Sequence, residues 1–354
     1  MGLFPRLPRL ADLAKLSPND TLRDLAFAKG LVKKQPFQVL VQVTNRCNMT
    51  CSFCDFWPNP APKKEELTTR DFERLSDELA ELGTFLVSIE GGEPFARSDL
   101  PDIVGAFAKH HLPVLFTNGW YLTPESAKEL WGKGLAHANV SIDYATAARH
   151  DEKRGQAGAT ERAWRSIDTF LRTSPHGGKQ VHVMTVFMKD NQDEMERLFA
   201  QSKEHDVSHQ VTLLSLGGAR RAQGARDALP DGDAAQRLAA LVARTPHVRF
   251  FRAYFDHVAA FVAGESFTGC GAGRDTLNID HVGNVSPCIE KIGENVGNVK
   301  TESMKALYEK LLVANQKLAT CNDCFTACRG FSHELGAGRS AQNLIDLTTR
   351  MRRR

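Results

Sequence analysis

A parallel α/β architecture is what this sequence predicts, and three observations predict it. Short apolar runs rich in β-branched residues recur between residues 37 and 216. Helical patterns, with apolar residues three and four apart, fill the intervals between them. Cysteine, glycine–acid and asparagine motifs fall where the runs end. Alternation of this kind builds a parallel sheet with right-handed crossovers. Six strands suit either a doubly wound sheet or a partial barrel, and in both the functional groups gather at the C-terminal strand ends.

The elements follow in chain order. Residues 1–36 are basic and helical in pattern, through "LADLAKL" and "TLRDLAFAKGLV". They are expected to pack on the domain that follows, with a membrane-surface or substrate-docking helix as the alternative. Strands are expected at 37–44, 85–92, 113–119, 138–143, 181–187 and 210–216. Helices are expected at 69–83, 100–111, 123–134, 161–173 and 191–205, with start signals such as Thr123-Pro124 and Asn191. The stretch 217–234 is polar, glycine-rich and loop-like. Helices are expected at 234–244 and 254–263, a hairpin over 276–288 around "HVGN", and a helix over about 303–316. "CNDCFTAC" precedes a last helix that ends in "RMRRR". The expected domains are 1–36 (helical extension), 37–218 (strand–helix domain), 219–268 (helical linker), 269–335 (cysteine-bearing module) and 336–354 (basic tail).

Composition narrows the function. Of 354 residues, 42% are hydrophobic and 25% charged, an ordinary globular balance, and a net charge of +3 is too small to argue for nucleic acid. No apolar stretch approaches the ~18 residues of a membrane span. The start, "MGLFPRLPRL", is broken by Pro5, Arg6 and Pro8 and has no signal-peptide core, so the cytoplasm is the expected compartment. The eight cysteines are unevenly placed: Cys47, Cys51 and Cys54, then none until Cys270, Cys288, Cys321, Cys324 and Cys328. In a reducing compartment such clusters point to metal or redox chemistry, with zinc at both sets as the rival to iron–sulfur.

"CNMTCSFC" holds the first three at residues 47–54. Thiolates are soft ligands suited to iron–sulfur clusters. Three of them leave one corner of a four-iron cluster open for a substrate or cofactor. C-x3-C-x2-C with Phe53 before the third cysteine, on the loop after strand 1, resembles the radical S-adenosylmethionine (SAM) superfamily. "EGGEP" at the end of strand 2 is similar to that family's SAM-binding motif. The likeness covers about residues 37–216. It implies a partial (β/α)6 barrel, with a small C-terminal α+β module appended. It also implies a [4Fe-4S] cluster on Cys47, Cys51 and Cys54 whose open iron chelates SAM. One electron then cleaves SAM to methionine and a 5′-deoxyadenosyl radical, which takes hydrogen from the substrate. An electron donor such as flavodoxin or ferredoxin is implied. Gly91 and Gly92 would let the backbone approach the methionine moiety, and Glu93 would receive its ammonium group. Phe53, Asn118, Ser141 and Arg154 look like further SAM contacts. Arg154 could instead be a solvated helix-start residue, and Asp143 could face substrate or hold a loop.

Cys270, Gly283 and Cys288, followed by "GNV" and "CNDCFTAC", resemble the SPASM and Twitch modules that carry auxiliary iron–sulfur clusters. Five cysteines cannot fill two four-ligand clusters. The resemblance therefore implies one auxiliary cluster, on Cys270, Cys288, Cys321 and Cys324, with Cys328 left over or replacing a neighbour. Structural zinc on the same thiols is the alternative. Glu290 is either a base near that cluster or, as expected, solvated. The resulting expectation is a radical SAM enzyme whose auxiliary cluster aids substrate oxidation. A redox-neutral epimerase with a cysteine hydrogen donor, and a non-catalytic iron–sulfur or zinc protein, are its rivals. Relatives with such modules act on peptides or on small sugars and cyclitols. The 36 residues before the barrel leave no room for a peptide-binding domain, which favours a small molecule or a separately delivered substrate.

Overall fold

In the computed structural model, described over residues 18–175, 180–217 and 226–336, six parallel strands form the frame. They are β1 (Gln38–Thr44), β2 (Leu86–Gly91), β3 (Leu112–Thr117), β4 (His137–Ser141), β5 (Val181–Phe187) and β6 (Ser208–Leu213). Each pairs with its chain neighbour, so β1 to β6 lie side by side in sequence order, as in a partial barrel. β1 is buried over all but its first residue, and Val39, Val41 and Val43 are fully enclosed. A strand covered on both faces reads as a continuous apolar run, which is why β1 was visible in the sequence.

Helices cover the outer face. Helix α2 (Thr69–Leu82) starts at a capping box between Thr68 and Asp71 and buries Phe72, Leu75 and Leu79. Helices α3 (Leu100–Ala108), α4 (Pro124–Gly132), α6 (Ala159–Thr173) and α7 (Met195–Glu204) fall in the expected intervals, but α7 is preceded by Glu194 and not started by Asn191, which closes a short 3-10 turn at Lys189–Asn191. One helix was not expected, α5 (Ala147–Arg154). It is polar and buries only His150 and Arg154, so it has no apolar stripe to read. Before the sheet, α1 (Pro18–Val32) is anchored by Arg23, which donates to the Ala108 and His111 carbonyls at 2.7 and 3.2 Å. The "LADLAKL" segment and the basic tail lie outside the described residues. No helix among those described is long and apolar enough to cross a membrane.

The C-terminal hairpin is a continuation of the same sheet. Strand β7 (Thr276–Ile279) pairs parallel to β1, with Val39 opposite Leu277 and Val41 opposite Ile279. β8 (Asn284–Ser286) and β9 (Gly297–Asn298) extend it antiparallel, giving the order β6-β5-β4-β3-β2-β1-β7-β8-β9. Buried polar side chains specify the join. Gln42 of β1 donates to Asn278 of β7 at 2.8 Å, and Asn278 donates to Ser286 of β8 at 3.0 Å. A buried amide left unpaired would be costly, so this ladder favours one register. Helices α8 (Gly232–Ala243) and α9 (Arg252–Val262) precede the hairpin; α8 takes in the last residues of the stretch expected as loop. Helix α10 (Met304–Lys317) is tied to α2 through Met304 N–H and Glu78 at 2.7 Å. Helix α11 (Ala327–Gly336) brings Phe331 to 5.2 Å from Phe37.

Candidate active site

The loop after β1 carries the first three cysteines and is tied down at several points. Gly92 N–H donates to the Thr44 carbonyl and Glu93 N–H to the Arg46 carbonyl, both at 2.8 Å. Thr50 and Ser52 N–H groups donate to the Arg154 and Lys153 carbonyls at the end of α5. Asn45 accepts from Ala61 N–H at 2.8 Å and donates to the Asn59 carbonyl at 2.9 Å, closing the far end. Cys51 is buried, and Cys47 and Cys54 are half-buried. Burial pushes the Cys47 thiol up to about 12 and raises Cys51 as well. Thiols so placed lose their protons readily only to a bound metal centre.

Among the described residues, His257, His333 and Glu334 bring their ligand atoms within 4.8 Å of one another. The histidine trio itself is an ion-pair clamp between α9 and α11. His257 Nδ1 and Glu334 Oε1 are 2.6 Å apart, closer than the ~3.3 Å between two ligands of a tetrahedral ion.

The end of β2 explains its two glycines. A Cβ at Gly91, where φ is +129°, would stand 2.1 Å from the Thr44 carbonyl oxygen, and one at Gly92 would stand 2.2 Å from that of Arg46. Both positions need glycine for the approach of β2 to the cysteine loop, a reason independent of any cofactor. Glu93 is 1% exposed and accepts from Thr117 Oγ1, Asn118 N–H and Phe95 N–H at 2.7, 2.8 and 3.1 Å. Burial raises its carboxyl to about 7. Its Oε2 accepts only the Asn118 N–H among these three donors. The Asn118 side chain donates to Asn48 Oδ1 at 2.9 Å, and Asn48 Nδ2 is buried with no partner. An acceptor with a spare lone pair and an orphaned donor therefore flank Asn118, a fit for a zwitterionic group. Asn48 was not singled out from the sequence; inside "CNMTC" nothing marks it.

Arg154 is buried, which rules out the solvated position considered for it, and it ends α5 instead of starting a helix. Its Nη2 is paired with Asp143 Oδ2, its Nη1 lies 4.0 Å from Cys51 Sγ, and its guanidinium sits 5.4 Å from the centre of the Phe53 ring. Asp143 is fully buried and also accepts from Val186 N–H at 2.9 Å, so it holds structure in place. Ser141 ends β4, half-buried, with its backbone opposite Met184. Beside Phe53 lies a cavity of about 420 Å³ lined by Ser52, Tyr144, Arg149, Lys189 and Asp190 among others. Tyr144 donates to Asp190 at 2.9 Å, and Lys153 pairs with Asp190 at the same distance. These lining residues carry no motif, and sequence reasoning missed them.

The second set comes together around the hairpin. Cys270 precedes β7, Cys288 follows β8, and Cys321 and Cys324 lie between α10 and α11. Burial raises the Cys288, Cys321 and Cys324 thiols, Cys324 to about 12, and Cys270 lies close enough to act electrostatically on all three. Asn315 fixes Cys270 by donating to its carbonyl at 2.8 Å. Glu290 is not fully solvated as expected: its Oε2 is buried without a partner, and its charge acts on Cys288 and Cys324. Cys328 sits in the first turn of α11, whereas Cys324 precedes that helix, so helical spacing does not relate the two. Next to it, Ala327 N–H donates to Thr212 near the C-terminal end of β6. The register places Cys288 toward the N-terminal end of β1, while Cys47 follows its C-terminal end. Six strand intervals at ~3.3 Å separate the level of Cys288 from the C-terminal end of β1 by roughly 20 Å, while Tyr254 links the Phe325 carbonyl, beside Cys324, to Leu213 N–H at the C-terminal end of β6.

Comparison with known proteins covers both regions of the chain. Residues 41–201 match the radical SAM superfamily and residues 270–325 match the SPASM iron–sulfur cluster-binding domain. The chain is 30% identical over 322 residues to mycofactocin maturase MftC of Mycolicibacterium smegmatis, covering 86% of this chain and 79% of that one. It is 27% identical over 293 residues to the AdoMet-dependent heme synthase of Nitratidesulfovibrio vulgaris, covering 76% and 77%. Streptococcus suis SuiB bound to precursor peptide SuiA superposes with a TM-score of 0.60 at 18% identity, over 83% of this chain and 70% of that one.

Proposed function

The chain belongs to the radical SAM superfamily and carries a SPASM-type iron–sulfur domain, and from that premise we propose that it oxidises its substrate by a radical route. The observation that carries the SAM-dependent part of this reading is that Glu93 Oε2 and the orphaned Asn48 Nδ2 flank Asn118 beside the three-cysteine loop, and the second cysteine set favours oxidation. Cys47, Cys51 and Cys54 would hold the cluster. Glu93 would accept from the ammonium group of SAM and Asn48 would donate to its carboxylate. Asn118 holds both side chains in position, and Arg154 Nε, also buried and unpartnered, offers a further donor. When bound, the cluster and SAM supply a 5′-deoxyadenosyl radical that takes hydrogen from the substrate, the electron coming from a flavodoxin- or ferredoxin-class donor.

The substrate's reacting portion would occupy the 420 Å³ cavity against Phe53, a volume suited to a small molecule or one side chain of a separately presented peptide. Tyr144 and Asp190 offer it hydrogen bonds there. Cys270, Cys288, Cys321 and Cys324 would hold one auxiliary cluster. Under the oxidative reading that cluster would accept an electron from the substrate radical. A second reading, redox-neutral epimerisation, is favoured by the position of Cys328 near the C-terminal end of β6. Anaerobic reconstitution tests the class. Brown protein should release 5′-deoxyadenosine from SAM in a dithionite-dependent manner, and a colourless zinc protein that leaves SAM intact would end the reading. Product analysis then separates loss of hydrogen from inversion.

A further inference from the structure

Arg154 is a buried cation whose charge faces the cysteine loop. Its guanidinium fork is largely committed: Nη2 to Asp143, Nη1 toward Cys51 Sγ at 4.0 Å, and its plane against Phe53 at 5.4 Å. Asp143 is 0% exposed and Arg154 only 8%, so water and salt screen neither charge well. Arginine keeps its proton in any such setting. Asp143 is fixed from behind by Val186 N–H at 2.9 Å, and Asn191 donates to its carbonyl at the same distance, so the pair has little freedom to move away.

We propose that Arg154 is the fixed counter-charge of the cluster held by Cys47, Cys51 and Cys54, and that Asp143 sets how much of that charge the cluster feels. The proposal rests on the assignment of those three cysteines as ligands. Adding an electron makes a cluster more negative. A buried cation near one of its thiolates favours the reduced form, and a buried anion behind that cation opposes it. This role differs from contacting the cofactor, because it acts before SAM binds. It gives α5, a polar helix with few apolar contacts, a reason for its position: its last residue delivers the charge, and its last two carbonyls hold the cysteine loop.

The two members of the pair carry opposite signs, and that supplies the test. The anaerobically reconstituted holoenzyme is titrated with dithionite without SAM, and reduction is followed by electron paramagnetic resonance. The signal that SAM later perturbs identifies the N-terminal cluster. Iron and cluster content come first: a wild-type protein with no cluster on these cysteines overturns the ligand assignment itself, not the charge argument. With the cluster present, Arg154→Gln should lower the reduced-to-oxidised ratio at fixed poise by about tenfold, a 59 mV shift for a one-electron couple. Asp143→Asn should move the ratio the other way, and Arg154→Lys should stay near wild type. If Arg154→Gln fails to hold its cluster, the direction of the Asp143→Asn shift decides alone. Shifts of the same sign in the glutamine and asparagine variants, or no shift in either with the cluster intact, would overturn the proposal, since a purely structural pair would not reverse sign.

Discussion

Replacing Glu93 with Gln changes one oxygen to an amide, and the structure says what that costs. Oε2 faces Asn118 N–H at 2.8 Å, while Oε1 faces Phe95 N–H at 3.1 Å and the Thr117 hydroxyl at 2.7 Å. An amide nitrogen at Oε2 meets a backbone donor head-on. At Oε1 it meets another, although the threonine hydroxyl can turn. Gln therefore settles with its nitrogen toward Oε1 and keeps its carbonyl on Asn118, with the fold intact. What it cannot supply is a charge for the ammonium group. A hydrogen bond to a charged partner is worth roughly 1.5–3 kcal/mol, so SAM affinity should fall by about 10- to 150-fold with no iron lost. There is also a pH signature. Burial holds the cofactor-free Glu93 carboxyl at about 7, and only its ionised form attracts an ammonium. Wild-type affinity should be level above pH 7 and weaken about tenfold per unit as pH falls below it. The Gln variant should show no such slope. Equilibrium binding of labelled SAM to reconstituted enzyme between pH 6 and 8 measures both. Wild-type affinity in the variant, or the same slope in both proteins, would place Glu93 outside the cofactor site.

Three further outcomes are expected. Replacing Cys47, Cys51 and Cys54 together with Ala should remove one cluster and all SAM cleavage while the auxiliary cluster's iron remains; residual cleavage would refute the site. Gly91→Ala should destabilise the chain by more than about 3 kcal/mol, because its Cβ would stand 2.1 Å from the Thr44 carbonyl; thermal melting checks this, and an unchanged melting temperature would contradict the packing argument. Cys328→Ala should retain full iron and turnover under the oxidative reading. Lost turnover, together with solvent deuterium in the wild-type product, would shift the assignment to epimerisation.

Most of the barrel was legible because its strands are buried on both faces and its helices carry apolar stripes. Phe72, Leu75 and Leu79 on α2 state their helix as plainly as Val39, Val41 and Val43 state β1. Two features escaped, each for a physical reason. Helix α5 is polar on nearly every side, so periodicity had nothing to register. The parallel pairing of β7 with β1 is a long-range choice recorded in three polar side chains, Gln42, Asn278 and Ser286, which look like ordinary surface residues until their partners are known.

The site divides along the same line. Cysteine spacing was readable because a cluster of the proposed kind would impose its ligands directly on the chain. The side chains around it answer to three-dimensional neighbours that the pattern does not show. Gly91 and Gly92 carry a requirement beyond the motif, since the nearest atoms to their missing side chains are the carbonyls of Thr44 and Arg46. Arg154 left a solvated position open, yet it is buried with Asp143 at Cys51. Asn48 gave no signal, since an orphaned donor exists only relative to what Asn118 has already bound. A glycine, an arginine and an asparagine in a motif thus take their meaning from the group opposite them. That is why Glu93→Gln with its pH slope, and Arg154→Gln set against Asp143→Asn, test the reading harder than loss of any cysteine. Removing a ligand abolishes the site under every account of its surroundings, whereas a changed slope or a reversed sign follows only if these neighbours act as described.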